Sequence, residues 1–172
     1  MQNLQTLLWA VIGSGVLALV FAFWKTSWIK GRDAGTDRMQ EIAKHISDGA
    51  MAFLSREYRV LAVFVVVVAV ALAWMNMGVG EDRWMVAISF VAGALASGLA
   101  GYLGMKVATL SNVRTTAAAR TGLPGALAIA FSGGAVMGMS VVGLGVLGIA
   151  GLMLVFTNMW PNELVKVVQV VT

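Results

Sequence analysis

The sequence predicts an all-α integral membrane protein with four transmembrane helices, and three observations carry that prediction. Apolar side chains make up 59% of the 172 residues against 12% charged, with a mean hydropathy of +0.86, which a water-soluble globule does not reach. Uncharged runs cover residues 1–24, 60–80, 84–105 and 121–162, each long enough for the roughly 20 helical residues that cross about 30 Å of hydrocarbon. More than half of the charged and histidine side chains are gathered in one stretch, 31–59. The bilayer is therefore the solvent for most of the chain.

The first span is read at about residues 4–23. Gly13, Ser14 and Gly15 near its middle let a neighbouring helix come close. The opening MQNLQ has no positive charge, so the span reads as a retained helix rather than a cleaved leader. The polar stretch that follows, GRDAGTDRMQEIAKHISDGAMAFLSREYR, is helical by pattern. Met39, Ile42, Ala43, Ile46, Ala50, Phe53 and Leu54 form one apolar stripe at three- and four-residue steps. Glu41 with His45, and Lys44 with Asp48, are i,i+4 pairs on the wet face. Gly35 breaks the chain before this helix, and Thr36 or Asp37 is placed to cap it, with Gln40 three residues after Asp37. No proline separates this segment from the second span at about 60–78, so a single long helix is expected, polar first and lipid-embedded afterwards.

The second span contains VFVVVVAVALA, strand-like in water, but a lone strand in lipid would leave its backbone unpaired. Gly78 and Gly80 end it, and Glu81 and Asp82 suit the positive end of the third helix, at about 84–105. There Gly93, Ser97 and Gly101 recur every four residues, a smooth face read as helix packing in preference to a substrate groove. A link at 106–125 stops and restarts at Gly122, Pro124 and Gly125. The fourth span, about 127–156, would be about 46 Å long at 1.5 Å per residue, so it should tilt or project. The tail leaves the membrane at Pro161 and ends on an apolar segment with no evident partner, as though cut short. All six tryptophans, Trp9, Trp24, Trp28, Trp74, Trp84 and Trp160, fall near the expected span ends.

The net charge of +4 suggests a nucleic-acid partner until its distribution is read. Lys25, Lys30, Arg32, Arg38, Lys44, Arg56 and Arg59 lie between the first two spans, and Lys106, Arg114 and Arg120 between the last two. Only Arg83 and Lys166 lie on the other side. The positive-inside rule makes 25–59 and 106–125 cytoplasmic and leaves the N-terminus outside. The excess of positive charge is topological, and no nucleic acid is expected. Without cysteine, the chain offers no thiolate site and no disulfide framework.

Motifs that carry chemistry elsewhere are weak here. Gly143, Gly145 and Gly148 spell GxGxxG, but inside a lipid span, with no strand before them and no acidic residue at the dinucleotide spacing. Asp33, Asp37 and Glu41 are spaced by four and could hold a divalent cation. Gly35 takes Asp33 off the helix, and Arg32, Arg38 and Lys44 lie near, so a solvated charged face is the preferred reading. His45 has no second ligand at metal spacing, and Arg114 and Arg120 are read as snorkelling to headgroups rather than holding a phosphate. None of the spans holds an Asp, Glu, Lys, Arg or His, of the kind an H⁺ or Na⁺ path requires at depth.

The runs GTDRMQEIAKHISDGAMAFLSREYRVLA and GYLGMKVATLSNVRTTAAARTGLPGALAIAFSGGAVMGMSVVGLGVLG resemble the first cytoplasmic loop with the second helix, and the third and fourth helices, of the membrane-integral ion-pumping inorganic pyrophosphatases. The resemblance covers nearly the whole chain in order. It implies a homodimeric enzyme of the bacterial-type inner membrane, with sixteen helices per subunit in that family, that couples hydrolysis of Mg²⁺-bound pyrophosphate to H⁺ or Na⁺ pumping, in some members with K⁺. The family's catalytic motifs, of the DVGADLVGKVE and DNAKK kind, are absent from this sequence. The chain thus resembles the first four, outer helices. The resemblance places no catalytic, cofactor-binding or metal residue in this chain, and the segment is expected to be inactive without the remaining helices. The alternative reading is a freestanding four-helix membrane scaffold or small channel. The sequence does not decide between H⁺ and Na⁺, or whether K⁺ is needed.

Overall fold

The computed structural model describes residues 2–76 and 84–171, with five helices and no strand among them. In chain order they are α1 (Gln2–Lys30), α2 (Asp37–Asn76), α3 (Met85–Ala119), α4 (Leu123–Met159) and the short α5 (Leu164–Val171). The first four are long and apolar enough to cross a membrane. The turn with Gly78, Gly80, Glu81, Asp82 and Arg83 lies outside the described residues.

The first three long helices overrun their uncharged runs. Thus α1 continues past Trp24 to Lys30, and α3 continues through the polar 106–119, because no glycine or proline interrupts either segment. α2 is one rod of 40 residues holding both its polar and its apolar half. α4, at 37 residues, is about 55 Å long, beyond what the hydrocarbon needs. Its restart is local chemistry. Thr121 and Gly122 donate backbone N–H groups to the carbonyl of Ala118, and Pro124 then sits in the first turn of α4, where a missing N–H costs nothing.

α4 is the centre of the bundle. It packs against α1 on one side and α3 on the other, and among the described helices α2 packs on α3 alone. In lipid, close backbone approach replaces hydrophobic burial as the source of helix affinity. The α1–α4 crossing is such an approach: a Cβ added at Gly15 would lie 2.8 Å from Leu147 Cγ and 3.2 Å from the Gly143 carbonyl oxygen. One added at Gly143 would lie 2.9 Å from Leu19 and 3.1 Å from the Gly15 oxygen. At the α3–α4 contact, Gly133 faces Ser111 and Gly104 faces Met137. Ala22, Ile29, Val107, Ile129 and Val136 close the core between these three helices, with Trp28 and Leu110 against them.

α2 has no buried residue. Val63, Phe64, Val67, Val70 and Trp74 stand open, and its attachment to α3 includes a bond from the Tyr58 hydroxyl to the carbonyl of Gly98. The small-residue face of α3 is accordingly only partly filled. Tyr58 stands 3.0 Å from where a Gly101 Cβ would be, while Gly93 has no neighbour within 4 Å. Gly93, Ser97 and Gly101 line a cavity of about 440 Å³ between α3 and α4.

The apolar tail is the clearest departure from the sequence reading. It does not end without a partner: α5 turns back onto α3 and α4, and Val167 and Val170 are buried against Phe156, Leu152, Met85 and Val86. Trp160 stacks on Phe156 at 5.6 Å, and Lys166 Nζ lies 4.3 Å from the Trp160 ring. The segment LVKVVQVV places Val167, Val170 and Val171 at helical steps, which makes one face apolar enough to dock.

Candidate functional site

The polar side chains converge where α1 ends, α2 begins, α3 ends and α4 begins. Residues 31–36 join α1 to α2, and the conformation of this joint follows from its sequence. Asp33 Oδ1 accepts the Gly35 N–H at 2.9 Å, an Asx turn. Gly35 has φ +79°, the left-handed region in which a side chain is strained, and Ala117 of α3 lies 3.2 Å from the position its Cβ would take. Thr36 Oγ1 then accepts the Met39 N–H at 3.4 Å, so Thr36, not Asp37, is the cap. Gln40 reaches back to the carbonyl of Gly35 at 3.0 Å, closing a variant of the expected box.

The three spaced carboxylates are not assembled as a ligand set. Asp33 is committed to the turn, Asp37 occupies the first turn of α2, and Glu41 pairs with Arg38 at 2.7 Å. That pair replaces the expected Glu41–His45 pairing. Among the described residues no group of three His, Asp or Glu side chains is placed to hold a metal ion. The GxGxxG glycines divide by role. Gly143 is the α1 crossing point, while Gly145 and Gly148 have open space and line the α3–α4 cavity.

Arg114 does something the sequence reading did not anticipate. Its guanidinium donates to the Leu110 carbonyl at 3.0 Å and, across the bundle, to the Lys30 carbonyl at 3.3 Å. A cation thereby meets the negative end of the α1 dipole and one of its orphan carbonyls. Arg120 sits in the turn after α3, exposed, with its N–H on the Ala117 carbonyl. Beside this joint, Met39, Ile42, Ala43 and Ile46 of α2 face Thr109, Asn112, Val113 and Thr116 of α3 across an apolar groove of about 190 Å³. Sequence reasoning missed Tyr58 and, for Arg114, the contact with α1. Tyr58 continues the apolar stripe of α2 four residues after Leu54, a signal that was available, whereas the partner of Arg114 lies 84 residues away.

Among the described residues this arrangement fixes how the helices sit on one another. The model of the inorganic H⁺ pyrophosphatase family matches residues 16–172. The chain belongs to that family. A putative K⁺-stimulated pyrophosphate-energized sodium pump of Clostridium tetani is 57% identical over 126 residues, 73% of this chain and 18% of that protein. A K⁺-insensitive pyrophosphate-energized proton pump of Moorella thermoacetica is 44% identical over 142 residues, 83% of this chain and 20% of its own length. Another, from Caldanaerobacter subterraneus, is 37% identical over 171 residues, 94% of this chain and 24% of that pump. The chain thus spans about a fifth of the length of these pyrophosphatase-family relatives. Sodium and proton pumps are both among them.

Proposed function

We propose that this chain is the N-terminal, outer-helix portion of a membrane pyrophosphatase that couples hydrolysis of Mg²⁺-bound pyrophosphate to H⁺ or Na⁺ transport. The observation that carries the reading is the family match over residues 16–172 in a chain whose matches span only about a fifth of its pump relatives. The role that follows is structural. α1, α3 and α4 form the packed unit, and the exposed apolar faces of α2 and of the α3–α4 cavity are left for lipid and for the remaining helices of the pump. A homodimer belongs to the same reading, as does K⁺ dependence in whichever form the whole pump has it.

Among the described residues the carboxylates are not gathered as a Mg²⁺ site needs. Metal-assisted phosphoryl transfer needs several carboxylates around the metal and cations on the phosphates. Here Asp33 and Glu41 are already engaged by Gly35 and Arg38. No step of the reaction is assigned to residues of this chain. For orientation, the Lys and Arg residues of 25–59 and 106–125 support a cytoplasmic placement of the joint in a bacterial-type inner membrane, with the N-terminus outside. The test is Mg²⁺-dependent pyrophosphate hydrolysis by the purified 172-residue chain in proteoliposomes. None is expected, and hydrolysis that disappears with chelation of Mg²⁺ would overturn the structural role.

A further inference from the structure

The end of α1 carries a feature that the pump reading does not use. The ring of Trp28 has two cations over it, Lys25 Nζ at 4.4 Å from its centroid and Arg32 Cζ at 3.9 Å. Lys25 also lies 5.5 Å from the Trp24 ring. Among the described residues neither cation has a carboxylate within ion-pair distance. The carboxylate next to Arg32 in sequence, Asp33, accepts the Gly35 N–H instead. Nor do these cations answer the α1 carbonyl end alone, because Arg114 already donates to Lys30 there. Two unneutralised positive charges are therefore held around one indole where the uncharged run 1–24 gives way to polar sequence.

The surface beneath them is apolar and open. Leu17, Val20 and Trp24 are 70%, 58% and 59% exposed and recur at three- and four-residue steps leading to Trp28. At about 100° per residue this stripe lies on the side of α1 opposite Gly15, Leu19 and Ala22, the side packed toward α4. A ligand matching both parts has an anionic head at Lys25 and Arg32 and hydrocarbon along Leu17, Val20 and Trp24. We propose that this corner binds an anionic phospholipid, with the phosphate between the Lys25 ammonium and the Arg32 guanidinium and an acyl chain along the outward stripe of α1. Free phosphate or pyrophosphate would satisfy the charges and leave the stripe unused. The inference does not depend on the pump reading. That reading adds only the leaflet, the anionic cytoplasmic one.

The test is lipid titration of the purified 172-residue chain in neutral detergent, with binding followed by native mass spectrometry. Wild type is expected to retain phosphatidylglycerol over phosphatidylcholine. Losing one charge should weaken retention about five-fold, and the Lys25→Gln/Arg32→Gln pair roughly twenty-five-fold. Lys44→Gln/Arg56→Gln removes the same net charge elsewhere and should keep wild-type binding. Arg32→Gln alone, beyond the last residue of α1, serves if the double variant fails to fold. Equal binding by wild type and the charge-removed variants, equal loss in the control pair, or displacement of the lipid by millimolar pyrophosphate would each overturn the assignment.

Discussion

Gly143 and Gly145 lie two residues apart in α4, and replacing each with alanine should have opposite effects. At Gly143 the new Cβ would stand 2.9 Å from Leu19 Cδ2, 3.0 Å from Leu19 Cγ and 3.1 Å from the Gly15 carbonyl oxygen. Carbon–carbon contacts are most favourable near 3.5–4.0 Å, so Leu19 must retreat by roughly 0.6–1.1 Å. The Gly15 oxygen is backbone and can move only with α1. Overpacking of this kind costs about 1–3 kcal/mol, against about 0.5–1 kcal/mol gained by removing a glycine from a helix interior. Gly143→Ala should therefore destabilise by about 1 kcal/mol. Gly145→Ala and Gly148→Ala, with no neighbour within 4 Å, should stabilise by about 0.5–1 kcal/mol. Thermal unfolding of the 172-residue chain in detergent, followed by circular dichroism, reads the difference. Gly15→Ala should behave like Gly143→Ala, and the pair should cost less than the sum because both act at one crossing. A Gly145→Ala variant as damaged as Gly143→Ala would refute the assignment of the α1–α4 contact.

Other expectations follow from single contacts. Tyr58→Phe removes the hydroxyl that bonds the Gly98 carbonyl and should cost about 0.5–1 kcal/mol, seen as faster hydrogen exchange in α2, whereas Tyr102→Phe should change little. Thr36→Ala removes the cap of α2 and should cost about 1 kcal/mol, measured as lowered thermal stability that Thr36→Ser restores. Val167→Ala opens a fully buried site under α5 and should lower stability by about 1–2 kcal/mol, while Val165→Ala, at 73% exposed, should be near neutral.

The sequence made the fold legible because lipid leaves the backbone so few options. An uncharged run of twenty residues must be a helix, and no proline interrupts the chain from Asp37 to Asn76. Partner choice was much less legible. Gly13 and Gly15 look alike in sequence, yet only Gly15 meets another helix, because two residues turn a side chain to the far side of α1. Gly93, Ser97 and Gly101 read as a packing face, but they line a cavity between α3 and α4, and how closely those two helices approach is not encoded by periodicity. The docking of α5 was missed for a related reason. An eight-residue apolar segment is too short to announce a helix, although its Val167 and Val170 spacing held the signal. At the polar joint, the residue types pointed to turn and cap, and the structure decided between Thr36 and Asp37. Arg114 was out of reach, since its partner is a backbone carbonyl on another helix.

The central claim is that these helices are one part of a larger pyrophosphate-energised pump, and reading the gene beyond the codon for Thr172 tests it most directly. An open frame that continues through further apolar spans bearing DVGADLVGKVE-like and DNAKK-like motifs is the predicted result. A stop codon at that point, together with a stable 172-residue protein in the native membrane, would contradict it and leave a freestanding four-helix protein.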